Sequence, residues 1–263
     1  MHEIVSALGQ GWVVSVLLLT VRIAAVLLLT PVLYAVSMPV TVRLLVVIAL
    51  ACIISLPFGA APAVAPADVG ALVQAILREA SVGATLGLGI LMAFAGFALA
   101  GNLIDVQIGF GMAQVFDPST RARLPILSAV FGLFAAVFFF IVDGHHAVMR
   151  GVAFSVERFP VGQGWTVHGA AEPLVKQMAA LFTLGFALAA PVVLGLLLVE
   201  FALGVVSRNL PQMNMLVMGV PVKILVGLLT LSVWATSFGA PASRLYAGIY
   251  QAWSGWFAQE GRR

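Results

Sequence analysis

Asp143-Gly144-His145-His146 gathers ligand-type side chains and invites a metal reading. Adjacent residues on a helix point about 100° apart, whereas a zinc-binding helix sets its histidines at i and i+4. No Glu or Cys partner stands at ligand spacing. The motif therefore reads as a turn, Asp143-Gly144-His145, at the end of an apolar helix, and no metal is expected. A second group is three charges set in apolar stretches: Arg22, Glu200 and Lys223. Ionisable groups inside a membrane carry a functional hypothesis by default. Glu200 can neutralise a basic residue of its own chain or of a partner, or serve an ion or proton relay. A relay in a proton-coupled transporter would show more such groups on facing helices, so a structural ion pair is the expectation. The sequence shows no Ser-His-Asp context, nucleophile elbow, P-loop or Gly-rich dinucleotide turn. Neither catalysis nor a cofactor is expected.

The elements that position these residues are apolar. The chain has 263 residues, 62% hydrophobic and 9% charged. A soluble domain carries about 25% charged residues, so this is an integral membrane protein. Its apolar blocks lack the two-residue alternation of an outer-membrane barrel, which leaves an all-α fold. Six helical blocks are expected: Val13–Val36, Val40–Leu56, Leu72–Ala100, Leu124–Val142, Met178–Val206 and Val222–Phe238. The first carries Arg22 and lacks a basic leader region, so it is not read as a signal peptide. A span needs roughly 20 apolar residues. The second and sixth blocks are short by that measure, and the third and fifth are long. That spread predicts tilting, breaks or helices that leave the bilayer.

Pro57 to Pro66 reads as a connector, with Asp68 as N-cap of the third block. Met149–Phe159 is amphipathic and suits a membrane interface, and Phe159-Pro160-Val161-Gly162 breaks it. The tail Arg244–Arg263 presents Tyr246, Tyr250, Trp253 and Trp256, again suited to an interface. Small residues at four-residue spacing, Gly83 and Gly87, then Ser128, Gly132 and Ala136, mark faces that pack closely. Cys52 is the sole cysteine, which excludes an internal disulfide. The basic residues form no patch of the nucleic-acid kind, and they are too evenly spread to fix orientation.

The segment Gln107-Ile108-Gly109-Phe110-Gly111-Met112-Ala113-Gln114-Val115-Phe116-Asp117-Pro118 is too apolar for a solvated loop. Its glycines and terminal Asp-Pro make it a poor membrane helix. Irregular backbone at membrane depth persists only when buried in protein or lining a cavity. The segment is therefore expected to be irregular and to face a pathway.

The order of several motifs resembles the FliR/SctT-type family, the export-gate subunits of type III secretion, on its flagellar branch. The motifs are Arg22 with Thr30-Pro31, Pro39 with Arg43, Leu56-Pro57, and Gln107-x-Gly109 with Phe116-Asp117-Pro118. They continue with Leu124-Pro125, Gly144-His145, Phe159-Pro160-x-Gly162, Arg208-x-x-Pro211-Gln212 and Gly219-x-Pro221. Each is weak, but their order spans the chain. A second resemblance, Ala189-Ala190-Pro191 through Gln212-x-Asn214 to Pro221-x-Lys223, is to the two-helix hairpin of FliQ.

The resemblance implies a FliP-like helical region over 1–177, a FliQ-like hairpin over 178–240 and an amphipathic tail over 241–263. It implies one copy of this chain with FliP-type and FliQ-type subunits in a 5:4:1 assembly, neighbouring FlhA-type and FlhB-type subunits, and unfolded secreted proteins in transit. The place implied is the bacterial inner membrane at the flagellar basal body, with part of the assembly projecting into the periplasmic space. Gly109, Phe110, Gly111, Met112, Val115 and Phe116 would plug the pore. Arg22, Glu200, Arg208 and Lys223 would be intersubunit or structural charges, and Asp117, Pro118, Pro211, Gly219 and Pro221 structural turns. Three alternatives stand beside it. One is the equivalent subunit of a virulence-type injectisome. Another is a small-molecule secondary transporter, for which the two halves show no inverted repeat. The third is a purely structural scaffold with a permanent rather than gated plug.

Overall fold

The computed structural model describes residues 2–31, 39–58, 69–110, 126–162, 168–210, 215–236, 239, 243, 244, 246–249 and 253. Among them the secondary structure is helical: α1 (His2–Leu29), α2 (Val40–Ser55) with a 3-10 turn at Leu56–Phe58, α3 (Val69–Ile108), α4 (Ile126–Ile141), α5 (Gly144–Arg158), α6 (His168–Asn209) and α7 (Met215–Ala235). Four helical stretches, Gly11–Leu29, Val69–Ile108, Leu174–Asn209 and Val217–Ala235, are long and apolar enough to cross a membrane, and α4 with α5 makes a fifth if counted together.

Two helices run well past the apolar blocks. α3 has 40 residues and α6 has 42, about 60 Å each at ~1.5 Å per residue. Both exceed the ~30 Å hydrocarbon core. The hydropathy reading ends the third block at Ala100, yet the helix carries Asn102, Asp105 and Gln107 before stopping at Ile108. Polar residues do not stop a helix when protein groups satisfy them, and Asp105 is buried and bonded.

The chain divides into two compact units, 1–92 with 143–177 and 248–263, and 93–142 with 178–247. In the first, α1 packs against α2 and against the first half of α3. The close approach of α1 and α3 rests on Gly83 and Gly87. A Cβ on Gly83 would collide with the Arg22 carbonyl, and one on Gly87 would lie 2.8 Å from the Leu29 Cβ. Leu18 and Ala75 centre a small core with Val14, Leu72, Ile76 and Val161. α5 buries Val148, Gly151, Val152, Ser155 and Val156, which form one helical stripe. Its apolar face is therefore covered by protein, not laid on a membrane interface. Trp253, expected at an interface, is also buried, and Gly151 leaves the room its ring occupies.

In the second unit, α4 turns Leu127, Phe131, Ala135 and Phe139 inward at four-residue spacing. Tyr246 is 1% exposed. It sits among Phe94, Phe97, Phe138 and Phe139, with ring centroids 5.7–6.1 Å apart. Its hydroxyl donates to the Ala135 carbonyl at 2.7 Å. A tyrosine so enclosed is a core residue; amphipathic spacing alone does not separate that role from a membrane-interface belt. Gly101 admits the Ser128 backbone, and Gly227 admits Ile108. Of the second small-residue stripe, Ser128 is packed in this way, while Gly132 has nothing within 4 Å of a built Cβ.

Candidate functional site: two ion pairs and a helix end

The first site is closed. Arg22 Nε donates to Glu79 Oε2 at 2.5 Å, and the side chains are 1% and 2% exposed. Arg22 Nη1 donates to Ser155 Oγ at 3.1 Å and Nη2 to the Phe159 carbonyl at 3.0 Å. The other Glu79 oxygen accepts from the Gly162 amide at 2.8 Å. The local sequence explains this. Phe159-Pro160 ends α5, Gly162 adopts φ +81, and the turn presents a carbonyl and an amide to the pair. A buried ion pair persists only when its remaining donors and acceptors are satisfied. Here they draw on α1, α3, α5 and the turn after α5. Arg22, expected as an intersubunit or structural charge, pairs here with Glu79, a residue the sequence reading did not single out. Glu79 lies inside the third apolar block beside Arg78, and an acid there was the available signal.

The second site is open. Lys223 on α7 pairs with Glu200 on α6, and Gln107 Nε2 at the end of α3 donates to Glu200 Oε2 at 3.3 Å. Lys223 and Glu200 are 24% and 39% exposed. They line a groove of about 370 Å³ with Gly109, Gly204, Ser207 and Gly219 among its walls. Its width follows from the small residues: a Cβ on Gly204 would meet nothing within 4 Å. Arg208 is exposed in the last turn of α6, where a cation complements the helix dipole.

Gly109 ends α3 with φ +96, and the Gly109 and Phe110 amides both donate to the Asp105 carbonyl at 3.1 Å. This is a left-handed helix stop of the glycine type. Gln107 and Ile108, read as the start of the irregular segment, are still helical. Gly111, Met112, Val115, Phe116, Asp117, Pro118 and Pro211 lie outside the described residues. Gly219 and Pro221, expected at a turn, stand inside α7 instead. Pro221 removes the amide that would meet the Val217 carbonyl, which membrane helices accommodate by local adjustment.

Asp143, His145 and His146 do come together, with ligand atoms within 4.8 Å of one another. Asp143 takes φ 55, and His146 Nδ1 lies 3.3 Å from its carboxylate. The expected turn is there, but it opens α5 as well as closing α4. The Asp143 and His146 side chains are 73% and 64% exposed, at the positively polarised start of a helix. That setting works against holding a cation.

The helical fold, its apolar spans and its inward charges define an all-α integral membrane protein. The chain matches bacterial export proteins, family 1, over residues 13–248, and it belongs to that family. It is similar to the flagellar biosynthetic protein FliR of Pectobacterium carotovorum, 30% identical over 242 residues and 91% of each chain. Its similarity to FliR of Bacillus subtilis is 38% over 159 residues, 59% of this chain and 61% of that relative. Similarity to FliR of Escherichia coli K12 is 29% over 209 residues, covering 79% of this chain and 78% of that one.

Proposed function

We propose that this chain is the single-copy core subunit of a flagellar type III protein export gate, which helps form and seal the channel for unfolded proteins crossing the bacterial inner membrane. The observation that carries the reading is the similarity to FliR proteins along nearly the whole chain. In it, residues 1–177 are the FliP-like region, 178–240 the FliQ-like hairpin and 241–263 the tail. FliP-type and FliQ-type subunits surround one copy of this chain in a 5:4:1 assembly beside FlhA-type and FlhB-type subunits, part of it rising into the periplasmic space. The role is that of a channel component, not an enzyme. The open Glu200–Lys223 pair and the groove beside it support a contact with a neighbouring subunit, because small residues let a second helix approach and partly exposed polar groups can bond across to it. The seal is assigned to Gly109, Phe110, Gly111, Met112, Val115 and Phe116. Deleting residues 109–115 should leave the assembly intact and make cells permeable to ions or small solutes. An assembled mutant as tight as the wild type would refute the seal.

A further inference from the structure

Residues 110 and 126 flank a connection between α3 and α4, and one residue bonds on both sides of it, by its side chain on the α4 side and by its backbone carbonyl on the α3 side. Asp105 is 1% exposed. Its Oδ1 accepts from the Leu127 amide at 3.0 Å and its Oδ2 from the Ser128 amide at 2.9 Å. Those are the second and third residues of α4, whose amides an N-cap side chain normally takes. The residue before Ile126 is Pro125, and its side chain holds no acceptor. A carboxylate from another helix thus supplies the missing cap, and its charge complements the helix start. On the other side, the carbonyl of the same residue accepts the Gly109 and Phe110 amides.

We infer that Asp105 is a positioning residue whose carboxylate ties the start of α4 to the end of α3, the two described ends nearest the sealing residues. Every donor it engages is a backbone amide, so neighbouring side chains can change without loosening the hold. A buried carboxylate is costly unless bonded in this way, and the two amide bonds to its oxygens account for its place in an apolar unit. Asn at this position keeps one acceptor but turns an amide group toward the second N–H. Ser128→Ala is the control: it removes the 2.9 Å bond from Ser128 Oγ to the Ala98 carbonyl and leaves both Asp105 bonds.

The test is made on the full assembly with its partner subunits. Amide hydrogen exchange at Leu127 and Ser128 is measured with ion permeability of cells for Asp105→Asn, Asp105→Ala and Ser128→Ala. The Asp105 variants should exchange at these amides about 10- to 100-fold faster and leak, while Ser128→Ala stays protected and tight. The permeability arm rests on the sealing role above; the exchange arm does not. Unchanged exchange in Asp105→Ala overturns the inference. So does a tight Asp105→Ala assembly when deletion of 109–115 leaks. If that deletion is tight as well, the sealing role fails and exchange alone decides. Failure of both Asp105 variants to assemble, with Ser128→Ala assembling, makes Asp105 a folding residue and overturns the inference too.

Discussion

Arg22–Glu79 and Glu200–Lys223 join opposite charges in apolar surroundings, yet they are built differently. The first is shut away at 1% and 2% exposure, with both guanidinium arms and both carboxylate oxygens bonded within one unit. The second stays 24% and 39% exposed and opens on a groove. A pair whose three guanidinium nitrogens and two carboxylate oxygens are all engaged inside one unit is built to hold structure. A pair left partly exposed beside glycines still has an edge to offer a neighbour. Charge in an apolar block is therefore a weak guide to role until its satisfaction is counted.

The largest effect that sharpens this contrast is on the closed pair. Arg22→Ala or Glu79→Ala leaves an uncompensated buried charge and should cost about 3–5 kcal/mol, read as loss of folded chain and a lower melting temperature in detergent. A mild effect of either would reduce the closed site to an ordinary ion pair. Gly83→Ala should cost roughly 1–3 kcal/mol by overpacking α1 against α3, since the new methyl meets the Arg22 carbonyl. Normal stability there would show that the helices separate easily. Glu200→Gln with Lys223→Met should cost the chain less than the roughly 3 kcal/mol of a broken buried pair, because both charges are removed together and neither is fully buried. The same double variant should lower the yield of complex with partner subunits. Unchanged yield would make the open pair local. Smallest is Gly132→Ala, where a methyl meets nothing within 4 Å. Helix preference predicts a gain of about 0.5–1 kcal/mol for the chain alone, and a loss in the complex would mark that face as a contact.

Much of the fold is legible in the sequence because burial in apolar surroundings leaves a hydropathy trace. Each of the six expected blocks corresponds to a helix, and the break after Phe159 stands where Pro160 and Gly162 put it. The ends were not legible. α3 runs eight residues beyond Ala100, to Ile108, and carries Asp105 and Gln107 there, since tertiary partners satisfy side chains that a hydropathy window counts as stops. The apolar stripes of α5 and of Tyr246 and Trp253 were visible, but a stripe covered by protein and one lying on lipid have the same spacing. At the sites, Arg22, Glu200 and Lys223 stood out as charges among apolar residues. Their pairing did not, because Arg22 and Glu79 are separated by 57 positions and nothing local links them. Asp105 gave one faint sign, the absence of any acceptor at Pro125.

The most direct test of the export-gate role is native mass spectrometry of the tagged chain co-expressed with the FliP-type and FliQ-type chains of its own genome. One copy retained with about five and four of the others is the predicted result, in line with helices whose apolar faces remain exposed in the lone chain. A stable, discrete particle of this chain alone, with neither partner retained, would contradict it.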